Sequence, residues 1–241
     1  MNTTSTRAFY LAGLRDGAPF LLVVVPFGFL FGVAGTEAGL SIAQVMGFSV
    51  AVIAGAAQFA ALQMLQDNAP TVIAVVTALA VNLRMAMYSA SLAPHLGGAP
   101  LWQRALAAYV LVDQVYAASV ARYETTPAMT LPQKLAFYFG TATPLVPVWY
   151  GATWAGARAG EAIPPSLALD FVVPITFLAL VGPMLRTLAH LAAAATSVAA
   201  MLALSALPYN SGLLLASVLA MIVGARIELW QTRRPVMRDA A

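Results

Sequence analysis

Cysteine is absent from all 241 residues of the chain. Disulfides, thiolate metal sites and cysteine nucleophiles are therefore excluded. Histidine is nearly as scarce: His95 and His190 stand far apart and form no metal-ligating spacing. The third shortage is charge. Only 9% of residues are charged while 61% are hydrophobic, whereas a soluble domain carries about 25% charged residues. Such a chain cannot cover a globular surface with groups that water solvates. Its mean hydropathy of +0.83 points to the bilayer as its solvent. The net charge of +3 does not indicate a nucleic-acid partner, because basic residues in membrane proteins are distributed by topology.

A helix needs roughly 20 mostly apolar residues to cross the hydrocarbon core. Apolar stretches at 17–36, 38–66, 71–92, 103–123, 135–157, 166–185, 187–207 and 212–230 predict about eight transmembrane helices in one all-α polytopic membrane domain. Turn-forming runs separate several of them, among them Asp67-Asn68-Ala69-Pro70 and Pro208-Tyr209-Asn210-Ser211. With the N-terminus in the cytoplasm, Arg7, Arg15, Arg122, Lys134, Arg186, Arg226, Arg233, Arg234 and Arg238 fall on that side. Arg104 and Arg158 fall on the other, and Arg84 stays inside the membrane. This bias predicts both termini in the cytoplasm and residence in a bacterial inner membrane. A signal peptide over 7–36 is disfavoured because nothing soluble follows it.

Displacing the chain by 121 residues matches Pro26 to Pro147, Gly35 to Gly156, Ala38 to Ala159 and Gly39 to Gly160. Two parallel repeats, 13–123 and 134–230, are expected from this, each opening with a proline-broken apolar helix. Pro26 stands near Gly28 and Gly32; Pro144 and Pro147 stand near Gly151. Irregular backbone at membrane depth persists only where protein buries it or a watery cavity solvates it. Discontinuous helices at matching places in two halves are a pointer to a transport site. The glycines have a second reading, as surfaces for close helix packing.

Arg84, Asp113 and Asp170 are ionisable residues inside the expected spans, where each costs about 2.5–3.5 kcal/mol. Arg84 and Asp113 lie at nearly equal depth if the third and fourth spans run antiparallel, so an ion pair between them is expected. Asn82, Tyr88, Gln58 and Gln114 supply further polar groups around that pair, and Tyr88 shares the helix face of Arg84. Buried amides also serve as glue between helices. Asp170 reads equally as an interfacial carboxylate without a role or as part of the first turn of a helix.

Gly55-Ala56-Ala57-Gln58-Phe59, Val81-Asn82-Leu83-Arg84, Leu111-Val112-Asp113-Gln114-Val115-Tyr116, Pro147-Val148-Trp149-Tyr150-Gly151-Ala152-Thr153 and Leu169-Asp170-Phe171 occur in this order. Together they resemble the AzlC (YgaZ) family. One departure is that family members often carry Asp-Glu where this chain has Asp113-Gln114, which leaves proton carriage to another group such as Asp113. The resemblance implies the large subunit of a branched-chain amino acid exporter, carrying valine, leucine, isoleucine and methionine, beside a small AzlD (YgaH)-type membrane subunit. No Walker A motif, metal cluster or nucleophile–base pair appears. The expectation is therefore a proton-driven secondary transporter without cofactor or metal, and not an enzyme. Arg84 and Asn82 would receive the substrate carboxylate, and Asp113 and Gln58 its ammonium. The alternative is a passive channel or a transporter for another small polar solute.

Overall fold

The computed structural model describes residues 5–162, 185–205, 207 and 212–238. The sixth expected span and Asp170 lie outside the described residues. The regular elements are helices: α1 Thr6–Gly17, a 3-10 turn Ala18–Phe20, α2 Leu21–Glu37, α3 Ile42–Ala51, α4 Gly55–Gln66 and α5 Thr71–Val81. They continue as α6 Leu83–Leu96, α7 Leu101–Tyr109, α8 Asp113–Thr125, α9 Leu131–Ala162, α10 Leu188–Ala203 and α11 Gly212–Arg238. Thr6–Glu37, Thr71–Leu96 and Gly212–Gln231 are long and apolar enough to cross a membrane. With 32 residues, α9 reaches about 48 Å at 1.5 Å per residue and is also long enough. The polytopic all-α class holds.

The chain divides into two compact units, 1–62 with 78–164, and 63–77 with 165–241. The first is built on a parallel pair, α1–α2 against α9. Contacts climb both helices together: Tyr10 meets Gly140, Gly13 meets Thr141, Gly28 meets Trp149, and Gly32 meets Thr153. Glycine is required along this seam. A Cβ on Gly32 would collide with the backbone of Thr153 and Ala157, and one on Gly156 with the backbone of Phe29. Gly28 and Gly32 therefore have the packing role. Their partners Trp149 and Thr153 lie 121 residues further along the chain, the displacement seen in the sequence. Gly151 differs, because a Cβ there would meet nothing within 4 Å.

The prolines do not break their helices. α2 runs on through Pro26, and α9 through Pro144 and Pro147. A proline inside a helix costs one hydrogen bond and a clash, and the close packing of α2 on α9 offsets this. Within α9, Thr141 and Thr143 donate to the carbonyls of Phe137 and Phe139 at 3.1 and 2.7 Å. The interruptions fall elsewhere: at 52–54, at Asn82, and at 110–112. Val52 (φ −140°, ψ 101°) and Val112 (φ −127°, ψ 163°) are fully extended there. β-Branched side chains are stiff in a helix and favour extended backbone, so these runs turn the chain without a proline.

Two segments expected to cross instead turn back. α3 descends beside α2, with Val45 against Gly35 and Phe48 against Phe31. α4 then climbs again, placing Gly55 against Phe27 and Trp149 and Gln58 against Ser49. A second hairpin, α7–α8, enters from the other end. α6 and α8 are parallel: Arg84 pairs with Asp113, Tyr88 with Tyr116, and His95 with Tyr123. The intervening α7 must therefore run the opposite way. Its start lies beside the start of α9, where Lys134 meets His95 at 3.1 Å and the Tyr123 hydroxyl donates to the Lys134 carbonyl at 2.9 Å. The spans expected at 38–66 and 103–123 are thus re-entrant hairpins. Their arms hold 9 to 13 residues, short of the roughly 20 that a crossing needs.

This folding redistributes charge. Arg7, Arg15, Arg104, Arg122 and Lys134 all lie toward the end where α1 and α9 begin, while Glu37, Arg158 and Glu161 lie toward the opposite end. Arg104, an exception under eight crossings, joins the basic majority. In the second unit α10 and α11 form an antiparallel pair, with Gly224 against Ala193 and Gly212 against Leu204. Leu213 packs there on Met64, Ala69 and Ala74.

Candidate functional site

The three interruptions of the first unit meet at mid-depth on α9. The Tyr109 hydroxyl, at the end of α7, donates to the Val50 carbonyl near the end of α3 at 2.9 Å, and lies 2.7 Å from the Tyr150 hydroxyl. Ile53, Met85, Val110, Leu111, Val112 and Trp149 belong to one apolar cluster. Each interruption leaves a helix N-terminus at membrane depth, namely those of α4, α6 and α8. Helix N-termini carry unpaired N–H groups and partial positive charge. Three of the sequence motifs, at 55–59, 81–84 and 111–116, fall on these N-termini.

Arg84 Nη1 and Asp113 Oδ2 are 3.0 Å apart. The expected pair forms, although α6 and α8 are parallel rather than antiparallel. Asp113 opens α8, a favourable place for an anion. Arg84 occupies the first turn of α6, an unfavourable place for a cation, and the facing carboxylate offsets that. Tyr88 stacks on Tyr116 with ring centroids 4.1 Å apart and planes 11° from parallel, and it also interacts with the Asp113 side chain. Tyr116 donates to Ser91 at 3.1 Å.

Gln58 is fully buried. Its Nε2 donates to Ser49 Oγ at 3.0 Å, and Ser49 in turn lies 3.5 Å from Thr153 Oγ1. This polar chain ties the first hairpin to α9 and is independent of the ion pair. Asn82 sits at the α5–α6 junction with φ −85° and ψ 0°, its side chain capping no helix. Gln114 is half-buried in the first turn of α8.

Five atoms at this level, Gln58 Oε1, Asn82 Oδ1, Arg84 Nε, Asp113 Oδ1 and Trp149 Nε1, are buried without a hydrogen-bond partner among the described residues. Buried polar groups are normally satisfied, and an orphan costs about 1–3 kcal/mol. Five such atoms gather around one set of broken helices. Three are acceptors and two are donors, which suits a zwitterion better than an ion of either sign.

Sequence reasoning did not single out Ser49, Tyr109, Trp149, Tyr150 or Thr153. The last three stood inside a quoted motif. For Ser49 and Tyr109 no signal was present, since each gains its role only from how the hairpins fold.

Parallel scaffold helices carrying opposed hairpins, with orphaned polar atoms where the hairpins meet, define a polytopic membrane protein with a polar centre at mid-depth. Residues 19–163 match the family model described as AzlC protein. This is more than half of the chain, and the chain belongs to the AzlC family. The matched stretch holds both hairpins and most of the α2–α9 seam. A protein of Archaeoglobus fulgidus described as an uncharacterized membrane protein is 29% identical over 224 residues, covering 91% of this chain and 95% of that one. The inner membrane protein YgaZ of Escherichia coli is 32% identical over 116 residues, 48% of this chain and 47% of that one. No solved structure matches the chain.

Proposed function

We propose that the chain is the large subunit of a proton-coupled exporter of branched-chain amino acids (valine, leucine and isoleucine, with methionine as a further substrate), working with a small AzlD-type subunit in a bacterial inner membrane. The observation that carries this reading is the Arg84–Asp113 pair itself, with Arg84 Nε, Asp113 Oδ1 and the neighbouring Asn82 Oδ1 left without partners among the described residues. A zwitterion carries the same two charges as that pair. Its carboxylate competes with Asp113 for Arg84, and its ammonium competes with Arg84 for Asp113, so it exchanges into the pair without leaving either charge alone. Protonation of Asp113 releases Arg84 and couples the exchange to a proton. Gln114 cannot take that proton, which leaves Asp113 as the carrier. Gln58 accepts from the ammonium, as expected, and Asn82 joins it rather than the carboxylate side, because the orphaned atom of Asn82 is its acceptor Oδ1. The apolar walls discriminate by only about 1–3 kcal/mol per methylene, giving a family of aliphatic substrates.

The test is valine flux in liposomes holding the purified protein and its small subunit, driven by an imposed pH gradient. Arg84→Ala and Asp113→Asn are each expected to lower flux at least about tenfold, the equivalent of 1.4 kcal/mol. Undiminished flux in both would sink the assignment. Removing both charges together is expected to restore folded yield, because each single change leaves an ion costing about 2.5–3.5 kcal/mol at membrane depth. Flux stays lost in the double variant unless the pair is only structural. Hairpins that meet tip to tip also suit a passive channel, and accumulation of valine against its gradient separates the two, since a channel cannot concentrate its solute.

A further inference from the structure

A cleft of about 350 Å³ opens between α6 and α7 toward the basic end. Its walls are Leu92, Leu96, Leu101, Ala107 and the ring of Tyr138, with Leu111 at its inner end. The Tyr138 hydroxyl is already bonded to the Ala107 carbonyl at 2.7 Å, so it offers the cleft its ring rather than a polar group. The one charged residue in the lining is Arg104, whose side chain forms no ion pair or hydrogen bond among the described residues.

We infer that this cleft is the vestibule through which an aliphatic amino acid reaches the Arg84–Asp113 pair, with Arg104 capturing its carboxylate at the mouth. The inference rests on the exporter reading. A mostly apolar wall with one guanidinium and the Ser89 hydroxyl fits a small aliphatic anion or zwitterion and offers no carboxylate to a cationic solute. The volume sits near the lower end of the roughly 300–1,000 Å³ of small-molecule sites, ample for an amino acid. Two lining residues are close neighbours of the site along the chain. Leu111 stands in the α7–α8 tip two residues before Asp113, and Ser89, on the wall, follows Tyr88. The basic end is the cytoplasmic face by its charge, so this is the side from which an exporter loads.

The absence of native cysteine makes the test direct. Ala108 lines the cleft, and Ala108→Cys introduces the sole thiol. In vesicles of known orientation a membrane-impermeant maleimide is expected to label it from the cytoplasmic face. Leucine should slow the labelling, whereas leucinamide, which lacks the carboxylate, should not. In an Arg104→Gln background half-protection should need about two- to five-fold more leucine, the range of an exposed charge contact, and Arg104→Lys should restore it. Labelling from the opposite face only, failure to label from either face, equal protection by leucinamide, or protection indifferent to Arg104→Gln would each overturn the vestibule. Valine flux by the unsubstituted protein, measured in parallel, keeps the two claims apart. Flux without protection removes the vestibule alone, and absence of flux removes the exporter reading.

Discussion

The Tyr109 hydroxyl donates to the Val50 carbonyl across 2.9 Å, and in doing so ties the last turn of α7 to the last turn of α3. These turns belong to hairpins that enter from opposite ends of the first unit. The last carbonyls of a helix have no partner within it, and an unsatisfied one at membrane depth costs several kcal/mol. Tyr109 thus answers a need that the first hairpin creates by stopping at Ala51. Tyr150, 2.7 Å from the same hydroxyl, anchors the contact to α9.

Tyr109→Phe removes the donor and keeps the ring. The Val50 carbonyl is then left without its partner, at a cost of roughly 1–3 kcal/mol. Hydrogen–deuterium exchange in detergent is expected to quicken at both 50–57 and 107–113, although the substitution sits in only one of these segments. Tyr150→Phe leaves the Tyr109–Val50 bond in place and is expected to have the smaller effect. Faster exchange confined to 107–113 would mean that the tips are not joined.

Two glycines of similar sequence setting should part company. Gly32→Ala drives a methyl group into the backbone of Thr153 and Ala157. Backbone cannot move aside as a side chain does, so the loss is expected to reach or exceed the roughly 1–3 kcal/mol of ordinary overpacking. Gly151→Ala meets open space and gains helix propensity of up to about 1 kcal/mol. Thermal unfolding of the two purified variants checks the contrast. A neutral Gly32→Ala would mean that the α2–α9 seam is looser than described.

The membrane class, the apolar segments and the Arg84–Asp113 pair were all legible in the residues, because each depends on composition or on depth counted along a helix. The direction of travel was not. A half-helix pair such as 42–66 must be as apolar as a full crossing, since the same lipid surrounds it, so hydropathy reads the two alike. The turn residues were also misleading. Proline is the louder signal, yet Pro26, Pro144 and Pro147 lie inside continuous helices, while the α7–α8 tip turns on Val110-Leu111-Val112 without proline or glycine. The ion pair survived the wrong topology because a hairpin tip and the centre of a span reach the same depth.

Side-specific labelling tests the hairpins themselves. Cysteine is placed singly at Ala38, Gly98 and Thr126, each in the turns that join helices; a Cβ at Gly98 makes only an ordinary contact, 3.5 Å from Leu131. If 38–66 and 103–123 crossed the membrane, the chain would cross twice between Ala38 and Gly98, through 38–66 and 71–92, leaving Gly98 on the face of Ala38. With the hairpins, only Thr71–Leu96 crosses between them, and Gly98 shares the face of Thr126 instead. Labelling of Gly98→Cys together with Thr126→Cys, and opposite to Ala38→Cys, is the expected result. It is also the arrangement that charge favours, since it carries Arg104 to the face of Arg7, Arg15, Arg122 and Lys134 and leaves Arg158 as the one basic residue of the unit on the other. Labelling of Gly98→Cys with Ala38→Cys would restore a crossing for each of the two segments and place Arg104 among the exceptions again.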